Sequence, residues 1–160
     1  MKKGFTMIEL IFVIVILGIL ASVAVPRLAG TKADAEISAA VANLRTLVSD
    51  LNTYYVATGD ISAATTWNQI TNVPLEGATA AAVSGSATAH LTVGGEDCIG
   101  VHIVAEAGDT PAYIKFTKKN DATGVCDKVL KAKSVEAYLK SKVGDKTGAM
   151  PIGSSIKLER

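Results

Sequence analysis

Apolar residues are concentrated in one segment near the start of the chain. The stretch from Phe5 to Val25 contains a single charged residue, Glu9, and Pro26 ends it. As an α-helix these 21 residues measure about 31 Å, close to the hydrocarbon thickness of a bilayer. The pattern therefore predicts a transmembrane helix, and the basic residues Lys2 and Lys3 before it predict a cytoplasmic N-terminus.

Beyond this segment the pattern becomes amphipathic and keeps a helical period. Apolar residues recur every three or four positions, at Ile37, Val41, Leu44, Val48, Leu51 and Tyr55. Such a stripe is typical of a helix that packs one side on a core. We expect one long helix from Phe5 to about Tyr55, bent at Pro26, with Gly59-Asp60 as its stop.

The second half of the chain has the pattern of short strands. Four runs rich in β-branched and aromatic residues are bounded by glycine or polar turns, at 90–93, 99–104, 113–116 and 125–130. Gly94-Gly95 joins the first two, and residues 119–124 are typical of a hairpin turn between the last two. We expect an antiparallel sheet of three or four strands, a short helix over Ser134–Lys142 and an edge strand in the tail from Pro151.

The segment between helix and sheet has a different composition. Residues 62–89 are rich in Ala, Thr, Ser and Gly, which predicts a loop or a loose connector. Within it, Thr66–Ile70 is a candidate helical turn, and Trp67 is a packing anchor rather than a platform for a ligand. The predicted fold class is α+β: a long N-terminal α-helix, its first half transmembrane, packed on a small antiparallel β-sheet.

Length and charge narrow the function classes. The chain has 160 residues, enough for one domain with a modest core, and its net charge is +1. Nucleic-acid binding gets no support from bulk charge. A local basic cluster is interpreted as a solvated face, with multivalent binding of DNA or an anionic surface by many copies as the alternative: Lys115, Lys118, Lys119, Lys128, Lys131 and Lys133.

Three interpretations of the N-terminus compete. The segment is a secretory signal peptide cut near Ser22-Val23-Ala24, a passive membrane anchor, or a retained helix that follows a short leader. Glu9 favours the third, because a carboxylate in an apolar helix is costly and neither a signal nor an anchor uses it. A cut after Gly4 would create an amine at Phe5 that neutralises Glu9 on a neighbouring subunit. Hydration of Glu9 near the headgroups, or pairing with its own Phe5 amine, stays open.

The segment Lys3-Gly4-Phe5-Thr6-Met7-Ile8-Glu9-Leu10 resembles the cleavage and methylation motif of type IV prepilins and type II secretion pseudopilins. A short basic leader, Gly before the cut, Phe after it and Glu at the fifth mature position all match, and Pro26 falls where this family commonly has a kinking proline. The resemblance covers the chain to about Tyr55 and is only architectural beyond it.

The resemblance implies a division of the chain and a set of partners. Residues 1–4 are a leader, 5–26 a transmembrane and assembly helix, 27–58 its amphipathic continuation and 59–160 a globular, type IV pilin-like head. The implied partners are a prepilin peptidase that cuts after Gly4 and methylates Phe5, an inner-membrane assembly platform, membrane lipid before assembly, and other subunits that Glu9 registers. Pro26 belongs to the same assembly segment.

Cys98 and Cys126 are an even pair far from the membrane segment. In an exported domain such a pair is interpreted as one disulfide, here between the second and fourth predicted strands; two free buried thiols are the alternative. Closing a separation of this length stabilises by about 3–4 kcal/mol on the loop-entropy model. Family members often hold their C-terminal region with one disulfide.

Candidate chemistry elsewhere is weak. His90 and His102 fall in predicted strands and are interpreted as alternating surface histidines, because further ligands at metal-site spacing are missing from the sequence. Glu96-Asp97 and Asp145 are acidic loop residues whose spacing matches no calcium ligand pattern. Phosphate-loop, dinucleotide and nucleophile-elbow motifs are also missing, so we expect no enzymatic activity, no metal and no cofactor.

The sequence therefore predicts a structural subunit of a type IV pilus or pseudopilus, polymerised through its N-terminal helix. It would be a single-pass inner-membrane protein with its head outside the cytoplasm, and later part of a periplasmic pseudopilus or an extracellular pilus. Two alternatives stay open: a minor pseudopilin that recognises DNA or a surface, and a secreted soluble module with an ordinary signal peptide. The sequence does not distinguish motility or adhesion, secretion and DNA-uptake machines.

Overall fold

The computed structural model describes residues 4–62, 64–79, 89–105 and 111–153. Its elements, in chain order, are α1 (Met7–Thr58), α2 (Trp67–Ile70), β1 (Ala89–Val93), β2 (Glu96–Val104), β3 (Tyr113–Lys118), α3 (Gly124–Lys131), α4 (Lys133–Lys140), β4 (Lys142–Val143), β5 (Lys146–Thr147) and β6 (Ala149–Pro151). Contacts divide the chain into two compact units, Met1–Ala35 and Glu36–Arg160. We call the second unit the head; it includes the last part of α1 and is therefore larger than the globular region predicted over 59–160.

The predicted long helix is confirmed as α1. It ends just before Gly59, which adopts the left-handed conformation with φ of 78°. The N–H of Gly59 donates to the Tyr55 carbonyl at 2.8 Å. The bend expected at Pro26 stays a prediction.

The amphipathic stripe of α1 lies against the core of the head. Leu44 and Leu51 are fully buried, and the other four stripe residues are partly buried against the same cluster: Ile37, Val41, Val48 and Tyr55. Ala40 and Leu47 are also buried, so the contact face is wider than the predicted stripe. A broad apolar face is what a helix needs to cover one side of a sheet.

The main sheet has four antiparallel strands in the order β1-β2-β3-β6. The turn from β1 to β2 is Gly94-Gly95, both with positive φ, as the sequence predicts. Leu91, Ile99, Val101 and Ile103 point to the core, while the residues between them form the opposite face. A bulge lies between Leu91 and Thr92.

The prediction of a strand over residues 125–130 is wrong: this segment is part of helix α3. Its half-buried or buried apolar residues are Val125, Cys126, Val129 and Leu130, a spacing of three to four that suits a helix and not the alternation of a strand. Thr123 is its extended N-cap. Residues 119–124 therefore lead from β3 into a helix rather than forming a hairpin turn.

The fourth strand comes instead from β6, which begins before the predicted tail strand. It pairs with β3 from Tyr113↔Pro151 to Lys115↔Ala149. The rest of that predicted strand, 154–160, lies outside the described residues, as do residues 80–88 of the predicted connector.

Two smaller predictions about the core are confirmed. Trp67 begins helix α2 and is fully buried within the core cluster. Helix α4 matches the helix expected over 134–142, with Val135 fully buried and the Tyr138 ring 5.5 Å from that of Phe116. The fold class is therefore α+β, a long N-terminal helix with a small antiparallel sheet, as predicted.

Cys98 and Cys126 form a disulfide, with their Cα atoms 5.5 Å apart. It joins β2 to helix α3 and not two strands, because residue 126 lies in a helix. Both residues are buried, and because their sulfurs are bonded to each other the alternative of two free buried thiols is wrong.

Candidate assembly site at the N-terminus

The first part of helix α1 exposes its apolar side chains. Phe5 is 92% exposed, Phe12 66% and Leu17 57%. By length and composition the helix is able to cross a membrane, and none of its most apolar window is buried. The core helix of a soluble domain would be mostly buried, so this segment is apolar for a reason other than the core of the head.

Helix α1 begins with a reciprocal pair of contacts between Thr6 and Glu9. The Thr6 backbone N–H and hydroxyl both donate to Glu9 Oε2, at 2.8 and 2.7 Å, and the Glu9 N–H donates to the Thr6 hydroxyl at 3.4 Å. This is a capping box, which satisfies backbone donors that the first turn of a helix leaves without partners.

The capping box gives Glu9 a defined place within its own chain. Its carboxylate lies in the first turn, where the helix dipole favours negative charge. Both hydrogen bonds from Thr6 go to the same oxygen, Oε2, so neither of them uses Oε1.

Thr6 is the functional residue that the sequence reasoning missed. The motif Thr6-x-x-Glu9 directly before an apolar run is itself a sequence signature of a helix start. The charge of Glu9 points to hydration or to a neutralising cation, whereas its own helix also supplies two donors, the N–H and the hydroxyl of Thr6.

The expected processing residues lie just before the helix. Gly4 and Phe5 are exposed and precede the first helical residue, Met7. Pro26 lies within α1. The structure thus brings Glu9 and Thr6 together, one turn from Phe5, whereas Cys98 and Cys126 belong to the head.

The histidines and acidic residues of the head do not form a metal centre in the described part of the chain, where no group of three or more His, Cys, Asp or Glu is suitably placed. His90 and His102 are both half-buried. Desolvation, followed by the charge of Lys115 across the strand pair, lowers the pKa of His102. Glu96 accepts from the Thr123 hydroxyl at 2.9 Å and lies 3.6 Å from the Lys119 ammonium, and these contacts lower its pKa.

The lysine cluster is distributed over three elements of the head. Lys115 on β3 is half-buried, and the other members on β3, α3, α4 and the β3–α3 connection are exposed: Lys118, Lys119, Lys128, Lys131 and Lys133. Lys131 pairs with Asp127 at 2.8 Å. Pairs of this kind on a helix surface are worth little energy and suit a solvated face.

Comparison with known proteins points to the same segment. A family model described as a prokaryotic N-terminal methylation motif matches residues 1–25. The type II secretion system core protein G of Dickeya chrysanthemi is 47% identical over 53 residues, which are 33% of this chain and 35% of that protein. Its counterpart in Aeromonas hydrophila is also 47% identical over 53 residues, 33% of this chain and 37% of the relative.

The same protein of Escherichia coli K12 is 43% identical over 53 residues, again 33% of this chain and 37% of the relative. The matched segment thus spans little more than a third of these curated relatives. No solved structure matches the chain. The resemblance to prepilins and pseudopilins is confirmed for the N-terminal third of the chain.

Proposed function

We propose that this chain is a structural subunit of a type II secretion pseudopilus, made as a membrane-inserted precursor and polymerised through its N-terminal helix. The observation that carries the proposal is the start of α1, where a carboxylate held by Thr6 heads an apolar helix that the fold leaves exposed. A helix of this kind needs lipid or other helices around it, and the carboxylate needs a cation.

In the precursor, the exposed apolar part of α1, up to about Val25, lies in the inner membrane with Lys2 and Lys3 on the cytoplasmic side. The capping box keeps Glu9 hydrogen-bonded before a partner arrives. Prepilin peptidase cuts the exposed bond after Gly4 and methylates the new amine of Phe5. The head lies outside the cytoplasm, where an oxidising compartment maintains the disulfide between Cys98 and Cys126.

Assembly exchanges lipid contacts for helix contacts. The amine of Phe5 on an incoming subunit approaches Glu9 of its neighbour, and the pair is neutralised in the dry bundle of helices. The first part of α1, up to Pro26, forms the core of the filament, and the inner-membrane platform extracts subunits from the bilayer. The role is structural: binding energy between helices does the work, and no catalysis is needed.

A pseudopilus is favoured over a motility or adhesion pilus because the relatives are named for type II secretion. The likeness is confined to the N-terminal third. That third contains the helix that pili and pseudopili share, so the choice of a secretion machine depends on the names of the relatives. A secreted module released near Ala24 is disfavoured, since it would discard the capping box together with the helix.

The test has two parts. Sequencing of the mature N-terminus should give methylated Phe5; a chain that keeps its first four residues, or begins near Val25, would refute the processing step. Glu9→Ala should insert and be cut, yet lower filament yield by about a hundredfold, because uniform apolar packing then lacks the registering charge.

Glu9→Gln is the matched variant. Glutamine keeps a capping oxygen for Thr6 but carries no charge, so it should fail to assemble as Glu9→Ala does. Normal filaments from Glu9→Gln would show that Glu9 acts as a helix cap and not as a counter-charge.

A further inference from the structure

The face of the main sheet that points away from the core contains a groove of about 630 Å³. The strand register aligns His90, Gly100 and Thr117 in one row across β1, β2 and β3. Gly100 has no side chain, and its buried backbone lines the groove together with His90 and Thr117.

Charged side chains surround this groove. Glu76 and Asp97 are exposed on the β1–β2 side, and Lys118 is exposed on β3. Glu76 is fixed there by two backbone hydrogen bonds with His90, both 2.8 Å. In the described part of the chain none of these three side chains has an ion pair, whereas the neighbouring Glu96 is engaged with Thr123 and Lys119.

A second charged feature lies at the other side of the sheet. Strands β4 and β5 form a separate two-stranded hairpin, whose turn Gly144-Asp145 is flanked by the exposed Lys142 and Lys146. Backbone bonds from Gly148 and Ala149 to Ser141 attach it beside β6. Because the strand order is β1-β2-β3-β6, the hairpin and the acidic rim of the groove lie toward opposite edges.

We propose that the groove is the acceptor for the β4–β5 hairpin of a second copy of this chain. The net signs are complementary: the hairpin contains two lysines and one aspartate, whereas two exposed carboxylates and one exposed lysine, Lys118, line the groove outside the Glu96–Lys119 pair. The two surfaces differ and lie toward opposite edges, so the contact is heterologous and propagates along a filament instead of closing a dimer. This inference rests on the proposed function and adds a head-to-head contact to the helix bundle.

An anionic partner, such as DNA or lipid headgroups, would use the hairpin differently. It would need Lys142 and Lys146 but would gain nothing from Glu76 and Asp97. The two occupants therefore predict opposite effects of changing the groove.

The experiment uses the full chain, expressed with its processing and assembly machinery, and measures sheared filament yield. One variant reverses the groove, Glu76→Lys with Asp97→Lys, and another reverses the hairpin, Lys142→Glu with Lys146→Glu. Each variant alone should lose about tenfold or more in yield, because like charges then meet at every contact. Co-expression of the two should restore assembly, since each then supplies the surface that the other lacks.

Controls separate this contact from folding and from the proposed function. Every variant must retain the Cys98–Cys126 disulfide on non-reducing gels, and the exchange Glu136→Lys with Lys140→Glu, which preserves net charge, should assemble normally. If either the groove variant or the hairpin variant alone gives the wild-type filament yield, or if their co-expression does not restore it, the proposed contact is wrong and the proposed function is unaffected. If only the hairpin variant lowers the filament yield, the contact is also wrong, and the hairpin binds an anionic partner instead. Absence of filaments from the wild-type chain would refute both.

Discussion

The two compact units of this chain use apolar side chains in opposite ways. In the first, Phe12 is 66% exposed in a helix without a core of its own; in the head, Leu44 on the same helix is fully buried. The same helix therefore has two kinds of apolar residue: those near its start are exposed, whereas those in the head are covered by its core. The difference teaches that apolar composition alone does not determine whether a helix packs within its own chain.

Matched leucine substitutions should show this contrast most strongly. Leu44→Ala is expected to lower the free energy of unfolding of the head by about 2–5 kcal/mol, through lost burial and a cavity. Leu17→Ala, on the exposed segment, should change it by less than about 0.5 kcal/mol. The measurement is guanidinium unfolding of the full chain in detergent, followed by fluorescence of Trp67, the only tryptophan. Equal losses would contradict the division into two units.

The disulfide should have the next largest effect, confined to the head. Cys98→Ser with Cys126→Ser removes a link across a separation of 28 residues, which is worth about 3–4 kcal/mol on the loop-entropy model. The same unfolding assay measures it, while protease protection of α1 in membranes should be unchanged. If membrane insertion fell as well, the two units would not be independent.

The contrast between the units also explains which features could be predicted from the sequence. The unbroken apolar run and the position of Glu9 are local properties, so the sequence predicted the helix and its exposed carboxylate. Residues 125–130 are rich in apolar and β-branched residues, which favours a strand, although their apolar positions recur at the spacing of a helix. The link from Cys126 to β2 is a tertiary contact that this local pattern does not contain.

The groove could not be predicted from the sequence, because it depends on contacts between residues that are far apart in the chain. It requires the register that sets His90, Gly100 and Thr117 side by side, and register is fixed by turns and a bulge rather than by composition. Thr6 is different, because its capping motif was readable in the sequence.

A smaller effect is expected at the helix start. Thr6→Ala removes the hydroxyl that accepts from the Glu9 N–H and donates to its carboxylate. Amide exchange at Glu9 of the uncut precursor in detergent should rise about fivefold, which corresponds to a typical capping contribution. Thr6→Ser keeps the hydroxyl and should exchange as the wild type does; an equal rise in both variants would mean that the hydroxyl is not the cap.

The smallest expected effect is a pH dependence confined to the head. Burial lowers the pKa of His102 below its ordinary value of 6.5, and the charge of Lys115 adds to this. The unfolded chain therefore binds a proton at a higher pH than the folded chain. Above that ordinary pKa both states are neutral and nothing is lost, while stability falls as the pH drops from there through the lower folded value.

His102→Gln should remove this part of the acid sensitivity and leave the sensitivity due to Glu96. The pKa of Glu96 is lowered by Thr123 and Lys119, so its stabilisation is lost only at more acidic pH. The free energy of unfolding, measured by Trp67 fluorescence at a series of pH values from 7 to 5, should therefore depend less on pH for His102→Gln than for the wild type. The same pH dependence in both proteins would mean that the half-buried imidazole is protonated as easily in the folded head as in the unfolded chain.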